Sequence, residues 1–571
     1  MRVLLVHPHC LEARQVEENV AAPPIGLWWI AASLRAGGHE VRVYNAEVRR
    51  FRAPDLAADF AREVADFAPA VAGFSVLQAN RFGALELARA AKSVRPGVVT
   101  VFGGPTPTFL WAHFLTHFPE VDVVAPGEGE AAMVELCAVL ERGGGPAALA
   151  GTPGLALRGP EGPVRTAPRP PIADLDALPL PAEFATYQHL SLTRGCPGSC
   201  RFCGSPLFWG PKVRFRSPQR FVDEMELLAR RGARFLYVSD DTFTLRREAV
   251  LEVCAGIQER GLGLTWAAIS RVDRVDAEVL SAMRRAGCVQ LSFGVESGSA
   301  RIRRNLGKGT TDADIRRAFE LTRRAGILPR AYFIYGSPGE DDASIAETVE
   351  RMAEIKPLMA LFHVLVILPG TRLWDEYAAR TGATDDVWCD PIEDIMYFET
   401  DPAIAPEAMR AWKARLHGAF EAGLPGWARE LAEPGALDPD PALAPCHADF
   451  LSRLGLTFLE GDYAALGEPA MRADLAGTLF DAALGYGEHP RAWLGRGILR
   501  QMERDADGAA EAFERGLGLD RDNASLRLGL AVARMNQGRF AEALTALEPL
   551  GPAPEAEALR AHCRAAGRAD G

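Results

Sequence analysis

The sequence predicts an α/β protein in three parts: an N-terminal doubly wound, Rossmann-like domain, a partial (β/α)6 barrel and an α-helical C-terminal repeat domain. Three observations carry this. Through residue 145, short apolar runs alternate with segments of helical periodicity, the pattern of a parallel sheet with helices on both faces. Six further strand–helix units run from 187 to 400. From about 405 helical spacing dominates, and one segment recurs 34 residues later.

In the first part, 2–8, 40–45, 70–75, 98–104 and 121–127 read as strands, and 26–37, 55–67, 81–95, 107–117 and 129–142 as helices. Ligands of such sheets bind beyond the strand carboxyl ends, here "HPHC", "SVLQAN", "GGPTPT" and "GEGE". No GxGxxG occurs, which disfavours a nicotinamide dinucleotide. A proline-rich stretch, 167–184, lies within an expected linker, 146–186. Barrel strands are expected at 188–193, 234–239, 264–269, 289–294, 330–335 and 361–367, with helices at 217–230, 245–260, 275–286, 311–325 and 340–354. In the last part, "WLGRGILRQMERDADGAAEAF" (493–513) recurs as "RLGLAVARMNQGRFAEALTAL" (527–547), aligning Gly495 with Gly529 and Ala509 with Ala543. Repeats of this kind are expected over about 447–566 of the helical region 401–571, either binding a protein partner or capping the barrel.

Composition bounds the function. The chain has 571 residues, 48% hydrophobic and 24% charged, the profile of an ordinary globular protein. A net charge of −12 argues against nucleic acid as the main partner, and "RRNLGK" (303–308) reads as a solvated helix end. The longest charge-free apolar stretch, 21–34, is too short to span a membrane, and the N-terminus is too soon interrupted for a signal peptide. Seven of ten cysteines are scattered, which suits a reducing compartment; the cytoplasm is expected.

The other three are crowded into "CPGSCRFC": Cys196, Cys200 and Cys203, after the first barrel strand. A structural zinc site usually takes four ligands, and three leave one metal position open. Thiolates in this number hold either a [4Fe–4S] cluster with one free iron or a three-cysteine zinc ion.

CxxxCxxC with Phe202 before its last cysteine resembles the radical SAM superfamily. The resemblance implies that these cysteines bind the cluster and are catalytic, with S-adenosylmethionine (SAM) on the free iron. It further implies SAM contacts at strand ends. Asp240 and Asp241 would lie near the methionine moiety, Arg271 on its carboxylate, and Glu296 on the ribose with Gly298 close by. Ile334, Gly336 and Pro369 would meet the adenine. "YFIYGSPGE" departs from the GxIxGxxE form: Tyr332 replaces the first glycine and the acid falls one place late, at Glu340.

The first 145 residues resemble the cobalamin-binding domain that precedes many radical SAM enzymes, through "LLVHP", "PPIGLWWIAASLRAGGHEVRVYNAE", "FGGPTPT" and "APGEGEAAMVEL". The resemblance implies a corrin over the Ser75–Asn80 loop, near His9, Ser75, Leu77, Gln78, Gly103, Gly104, Pro105, Gly127 and Glu128. Asp-x-His-x-x-Gly is absent, so no histidine of that motif ligates cobalt.

Together the resemblances imply a cobalamin-dependent radical SAM methyltransferase, which uses a 5′-deoxyadenosyl radical and methylcobalamin on an unactivated carbon or phosphorus. A small-molecule or peptide substrate and an electron donor such as a flavodoxin or ferredoxin are expected. The alternatives are a cobalamin-binding enzyme of rearrangement or cyclisation, and a non-catalytic iron–sulfur docking protein. A methylthiotransferase is disfavoured, because the N-terminal domain holds only Cys10 and Cys137.

Overall fold

The computed structural model describes residues 1–10, 24–53, 55–392 and 394–566. Its first sheet has the order β2-β1-β3-β4-β5-β6-β7. The strands are β1 (Arg2–His7), β2 (Glu40–Asn45), β3 (Val71–Ser75), β4 (Val99–Gly103), β5 (Val123–Ala125), β6 (Ala156–Gly159) and β7 (Gly162–Arg165). Pairing is parallel from β2 to β5. Central β1 is buried along its length after Arg2 and reads as an unbroken apolar run, whereas edge strand β2 alternates in exposure. The order reverses between β1 and β3, the switch point at which open parallel sheets bind ligands.

Two expectations are corrected by the fold. The segment 146–186 is more than a linker: β6 and β7 form an antiparallel hairpin that extends the first sheet beside β5. The helix expected over 107–117 is two, Pro105–Phe109 and Trp111–His117, because Leu110 leaves helical geometry at φ −107° and ψ 28°. In the apolar stretch 21–34, residues 21–23 lie outside the described residues, and helix Ile25–Ala36 takes up the rest. That helix is inter-domain packing: Trp28 stacks on Tyr187 at 5.8 Å, and Trp29 lies 4.9 Å from the Arg216 guanidinium.

The second sheet is fully parallel and ordered β13-β12-β11-β10-β9-β8, an open partial barrel. Its strands are β8 (His189–Leu190), β9 (Phe235–Val238), β10 (Thr265–Ser270), β11 (Cys288–Glu296), β12 (Leu328–Tyr335) and β13 (Met359–Val364). β8 is shorter than the expected 188–193 because the next amides leave the ladder: Leu192 and Thr193 N–H donate to Asp240 Oδ1 at 2.8 and 3.2 Å. The barrel core is dense, with Trp266 and Phe293 fully enclosed.

Helices Ala444–Leu459 and Pro469–Tyr486 share that core through Phe450, Leu454, Leu475 and Leu479. The later helices form small clusters of their own. The 34-residue period has a steric cause: a Cβ on Gly495 would meet the Phe480 ring at 2.1 Å, and one on Gly529 the Phe513 ring at 2.6 Å. Each glycine thus seats the phenylalanine of the preceding helix. Among the described residues no helix is long and apolar enough to cross a membrane. Nine of the ten cysteines, all but Cys10, are free thiols.

Asp449 fastens the helical region to the barrel, accepting from Arg284 at 2.7 Å, Arg491 at 2.6 Å and Arg453 at 2.9 Å. Burial works against its charge, but the three guanidiniums hold its carboxyl well below the usual range. Its stabilising contribution is therefore complete above the unfolded value near ~4 and is lost only as pH falls through the depressed folded value. Asp449→Ala leaves Arg284 buried and unpaired, and is expected to cost about 3–5 kcal/mol in denaturant unfolding at pH 7.

Candidate active site between the two sheets

A cavity of about 660 Å³ lies beyond the carboxyl edges of β1, β3, β4 and β5 and is closed on its far side by barrel loops. Eight of the nine positions expected at a corrin line it: Ser75, Leu77, Gln78, Gly103, Gly104, Pro105, Gly127 and Glu128. Their loops are shaped for close approach. Gly104 has φ 104°, and a Cβ there would fall 2.6 Å from Val76 O. Asn80 Oδ1 accepts from Leu77 N–H at 2.8 Å and fixes the loop floor. Gln78 is buried, and neither its oxygen nor its nitrogen has a hydrogen-bond partner. Such an orphaned amide on a mostly apolar wall fits a bound group that supplies the missing partner. His9 is outside the wall: its carbonyl abuts Gly83, and its Nε2 lies 3.4 Å from Glu86.

The barrel side is contributed by Gly204, Ser205, Asp241, Pro369 and Thr371. Two features lock the halves together. Phe109 is a knob against the loop after the sixth barrel strand: a Cβ on Gly370 (φ 74°) would lie 2.3 Å from its ring. The second is electrostatic. Arg194, two residues before Cys196, donates from Nη1 to Glu128 and from Nη2 to Glu130 Oε1 at 2.6 Å. Arg214 Nη1 reaches Glu128 Oε2 at 2.7 Å, and Ile172 N–H reaches the same oxygen at 2.8 Å. Burial pushes the Glu128 carboxyl up, but Arg214 and Arg194 more than offset it and hold it below its ordinary range. Glu128 lines the cavity, yet both its oxygens are committed to this ion network.

The cysteine loop is held from three sides. Arg201 N–H donates to Leu306 O at 2.9 Å, Arg201 Nε to Glu376 Oε1 at 2.9 Å, and Leu373 N–H to Arg201 O at 3.1 Å. A Cβ on Gly198 would stand 3.3 Å from Cys196 Sγ, 3.9 Å from Cys200 Sγ and 3.4 Å from Arg271 Nη1. These sulfurs and one guanidinium nitrogen therefore share a small space. Burial raises the Cys200 thiol and pushes the Cys203 thiol up to about 11. A bound metal must displace those protons, and the nearby cations Arg271 and Lys308 favour the resulting thiolates. A three-thiolate donor set flanked by two cations fits an anionic cluster.

The positions expected to contact SAM divide into two sets. Asp241 faces the cavity and accepts from Ser205 Oγ at 2.5 Å. Arg271 forms a forked pair with Asp273, Nε–Oδ1 2.9 Å and Nη2–Oδ2 3.1 Å, with Nη1 turned to the cysteines. Phe202 and Ile334 pack on one apolar cluster. Glu296 has φ 64° and accepts from Lys308 Nζ at 2.8 Å. Pro369 lines the cavity. By contrast, Asp240 is buried and spent on the Leu192 and Thr193 amides. Gly298 is pressed on helix Asp342–Ile355, where a Cβ would meet Thr348 Cα at 2.4 Å. Gly336 is pressed on Met409, whose side chain a Cβ would meet at 2.7 Å. Glu340 closes its own turn by accepting from Ser337 N–H at 2.9 Å.

Sequence reasoning misses Arg194, Arg214 and Lys308. Only Lys308 has a local signal, a lysine in a glycine-flanked run, and its basic neighbours make it read as solvated. In the structure its side chain is 9% exposed; burial opposes its charge, but Glu296 and Cys200 keep the ammonium protonated.

Arg194→Ala strands the buried Glu130 carboxylate, while Glu128 keeps Arg214, and is expected to destabilise the domain seam by about 3–5 kcal/mol, read as earlier proteolysis between residues 145 and 190. Burial raises Asp240 to about 6. Its contribution is then greatest below its unfolded value and is lost as pH rises through about 6. Asp240→Asn, which keeps an oxygen for both amides, should flatten the fall in Tm between about pH 4 and 6; an unchanged slope contradicts this.

Comparison with known proteins agrees with this geometry. Residues 190–352 match the family model for the radical SAM superfamily, 19–137 that for the B12 binding domain, and 501–563 a tetratricopeptide repeat. An uncharacterized methyltransferase of Pyrococcus horikoshii is 30% identical over 420 residues, 70% of this chain and 89% of that protein. The anaerobic magnesium-protoporphyrin IX monomethyl ester cyclase of Rubrivivax gelatinosus is 29% identical over 402 residues, 67% of this chain and 71% of that protein. The solved structure of the radical S-adenosylmethionine methyltransferase TsrM from Kitasatospora setae, with cobalamin and a [4Fe–4S] cluster bound, shares the fold. Its TM-score is 0.60 at 19% identity, over 84% of this chain and 99% of that one. The radical SAM match implies a [4Fe–4S] cluster with SAM rather than zinc, and the B12-binding match a cobalamin site in the N-terminal domain. The chain belongs to the radical SAM superfamily, with a B12-binding domain ahead of the SAM domain and a tetratricopeptide repeat behind it.

Proposed function

We propose that this enzyme is a cobalamin-dependent methyltransferase acting on an unactivated carbon or phosphorus of a small molecule or peptide. One observation carries the reading: a single cavity is walled by the loops of the B12-binding sheet and by the loop that follows Cys203. When bound, the cluster with SAM supplies hydrogen-atom abstraction, and cobalamin supplies a transferable methyl group.

The chain's own residues orient and shield. Cys196, Cys200 and Cys203 would hold the cluster. Arg271, already aligned by Asp273, presents Nη1 for the SAM carboxylate. Glu296, steered by Lys308, is available to the ribose hydroxyls. Leu77 and Gln78, which line the cavity, would help hold the corrin. Phe109 and the Arg194 network keep the two loop sets in register and exclude water between them. A flavodoxin or ferredoxin in the cytoplasm delivers the electron, and the outlying repeats are open to a protein partner.

A second reading, cyclisation without methyl transfer, is favoured by the relative named as a cyclase. SAM labelled on its methyl group separates the two. Label in the product, together with 5′-deoxyadenosine, is expected. Product without label supports cyclisation. Cys200→Ala should abolish 5′-deoxyadenosine formation; retention of that activity contradicts the assignment.

A further inference from the structure

Outside the cavity, one cluster of metal-ligating side chains among the described residues is unaccounted for. His113 and His117 lie one turn apart on helix Trp111–His117, and Asp386 and Cys389 on the short helix Asp385–Cys389. Their ligating atoms all lie within 4.8 Å of one another. The elements come from different parts of the fold, the B12-binding domain and the chain that leaves the barrel.

The pieces have the marks of a prepared site. His113 is 5% exposed, and beyond a backbone contact with Trp388 neither ring nitrogen has a hydrogen-bond partner. A buried imidazole left so costs free energy unless something occupies it. His117 Nε2 already lies 3.2 Å from Asp386 Oδ1. Asp386 Oδ2 accepts from Thr384 Oγ1 at 2.9 Å, which aims the other oxygen at the histidines. The backbone at Cys389 is fixed by the fully buried Trp388, 5.3 Å from Trp374 and 5.4 Å from the Arg81 guanidinium.

We propose that His113, His117, Asp386 and Cys389 bind one structural zinc ion that staples the segment 385–389 to the B12-binding domain. Two imidazoles, one carboxylate and one thiolate form a closed four-ligand set, and zinc is the common metal for mixed N, O and S donors in tetrahedral arrangement. Bond lengths of about 2.0 Å to nitrogen and 2.3 Å to sulfur ask the ligand atoms only to draw in by about an ångström. On binding, Cys389 gives its proton to solvent and no electron is transferred. None of the four residues lines the cavity, so the ion is separate from the cluster and cobalamin. Its effect on the site is mechanical: the stapled segment leads to strand Ile395–Met396, which pairs with Val366–Ile367 beside the cavity residues Leu368 and Pro369.

The test uses full-length protein reconstituted with cluster and cobalamin, incubated with zinc chloride, desalted and assayed for zinc by mass spectrometry. Wild type and Cys200→Ala are expected to retain one zinc per chain. Cys389→Ser and His113→Ala are expected to lose it while wild-type iron loading persists. X-ray absorption at the zinc edge should show one sulfur and mixed N/O neighbours. Cys389 is only partly buried, so Cys389→Ser decides the matter if His113→Ala fails to fold. Absence of zinc in wild type, zinc undiminished in Cys389→Ser, or a shell of three sulfurs overturns the proposal.

Discussion

The structure turns on the ion network that joins Arg194 and Arg214 to Glu128 and Glu130. Arg194 stands two residues before Cys196, and Glu128 lies on the rim of the B12-binding sheet. The network therefore connects the two cofactor loops by a few charged hydrogen bonds, shielded from water. Arg194, Arg214 and Glu128 are 9–13% exposed and Glu130 less, so their charges are tolerated only as a set. The two sheets thus acquire a common cavity with a defined width.

That constraint explains why several conspicuous residues are not free for ligands. Glu128 sits on the cavity wall but serves the seam. Asp240 is buried and holds the Leu192 and Thr193 amides just before the cysteine loop. Each spends its charge on positioning loops. The polar atoms that remain uncommitted are the Gln78 amide on one side and Arg271 Nη1 on the other. Preorganisation of this sort is what lets a site guide reactive species without moving.

Much of this is legible in the sequence because it is local. Three thiols within eight residues have a chemical reason that needs no tertiary context, and alternating strand and helix patterns specify two parallel sheets. What is hidden depends on distance along the chain. Arg194 and Glu128 are 66 residues apart, and no periodicity links them. The β6–β7 hairpin hides in a glycine- and proline-rich stretch that reads as irregular. Lys308 looks solvated within its run of basic neighbours and is buried only because Glu296 folds back over Gly294 to meet it. The break at Leu110 is a backbone choice that helical periodicity does not reveal.

The central claim is that both cofactors face one cavity in one chain. Electron paramagnetic resonance of anaerobically reconstituted protein, with cob(II)alamin and the reduced cluster both present, tests it directly. The account predicts cobalt lines broadened by dipolar coupling to the cluster, sharpening when the cluster is oxidised. Cobalt lines indifferent to the cluster's redox state, or protein that takes up cobalamin but no iron at the cysteine loop, would contradict it.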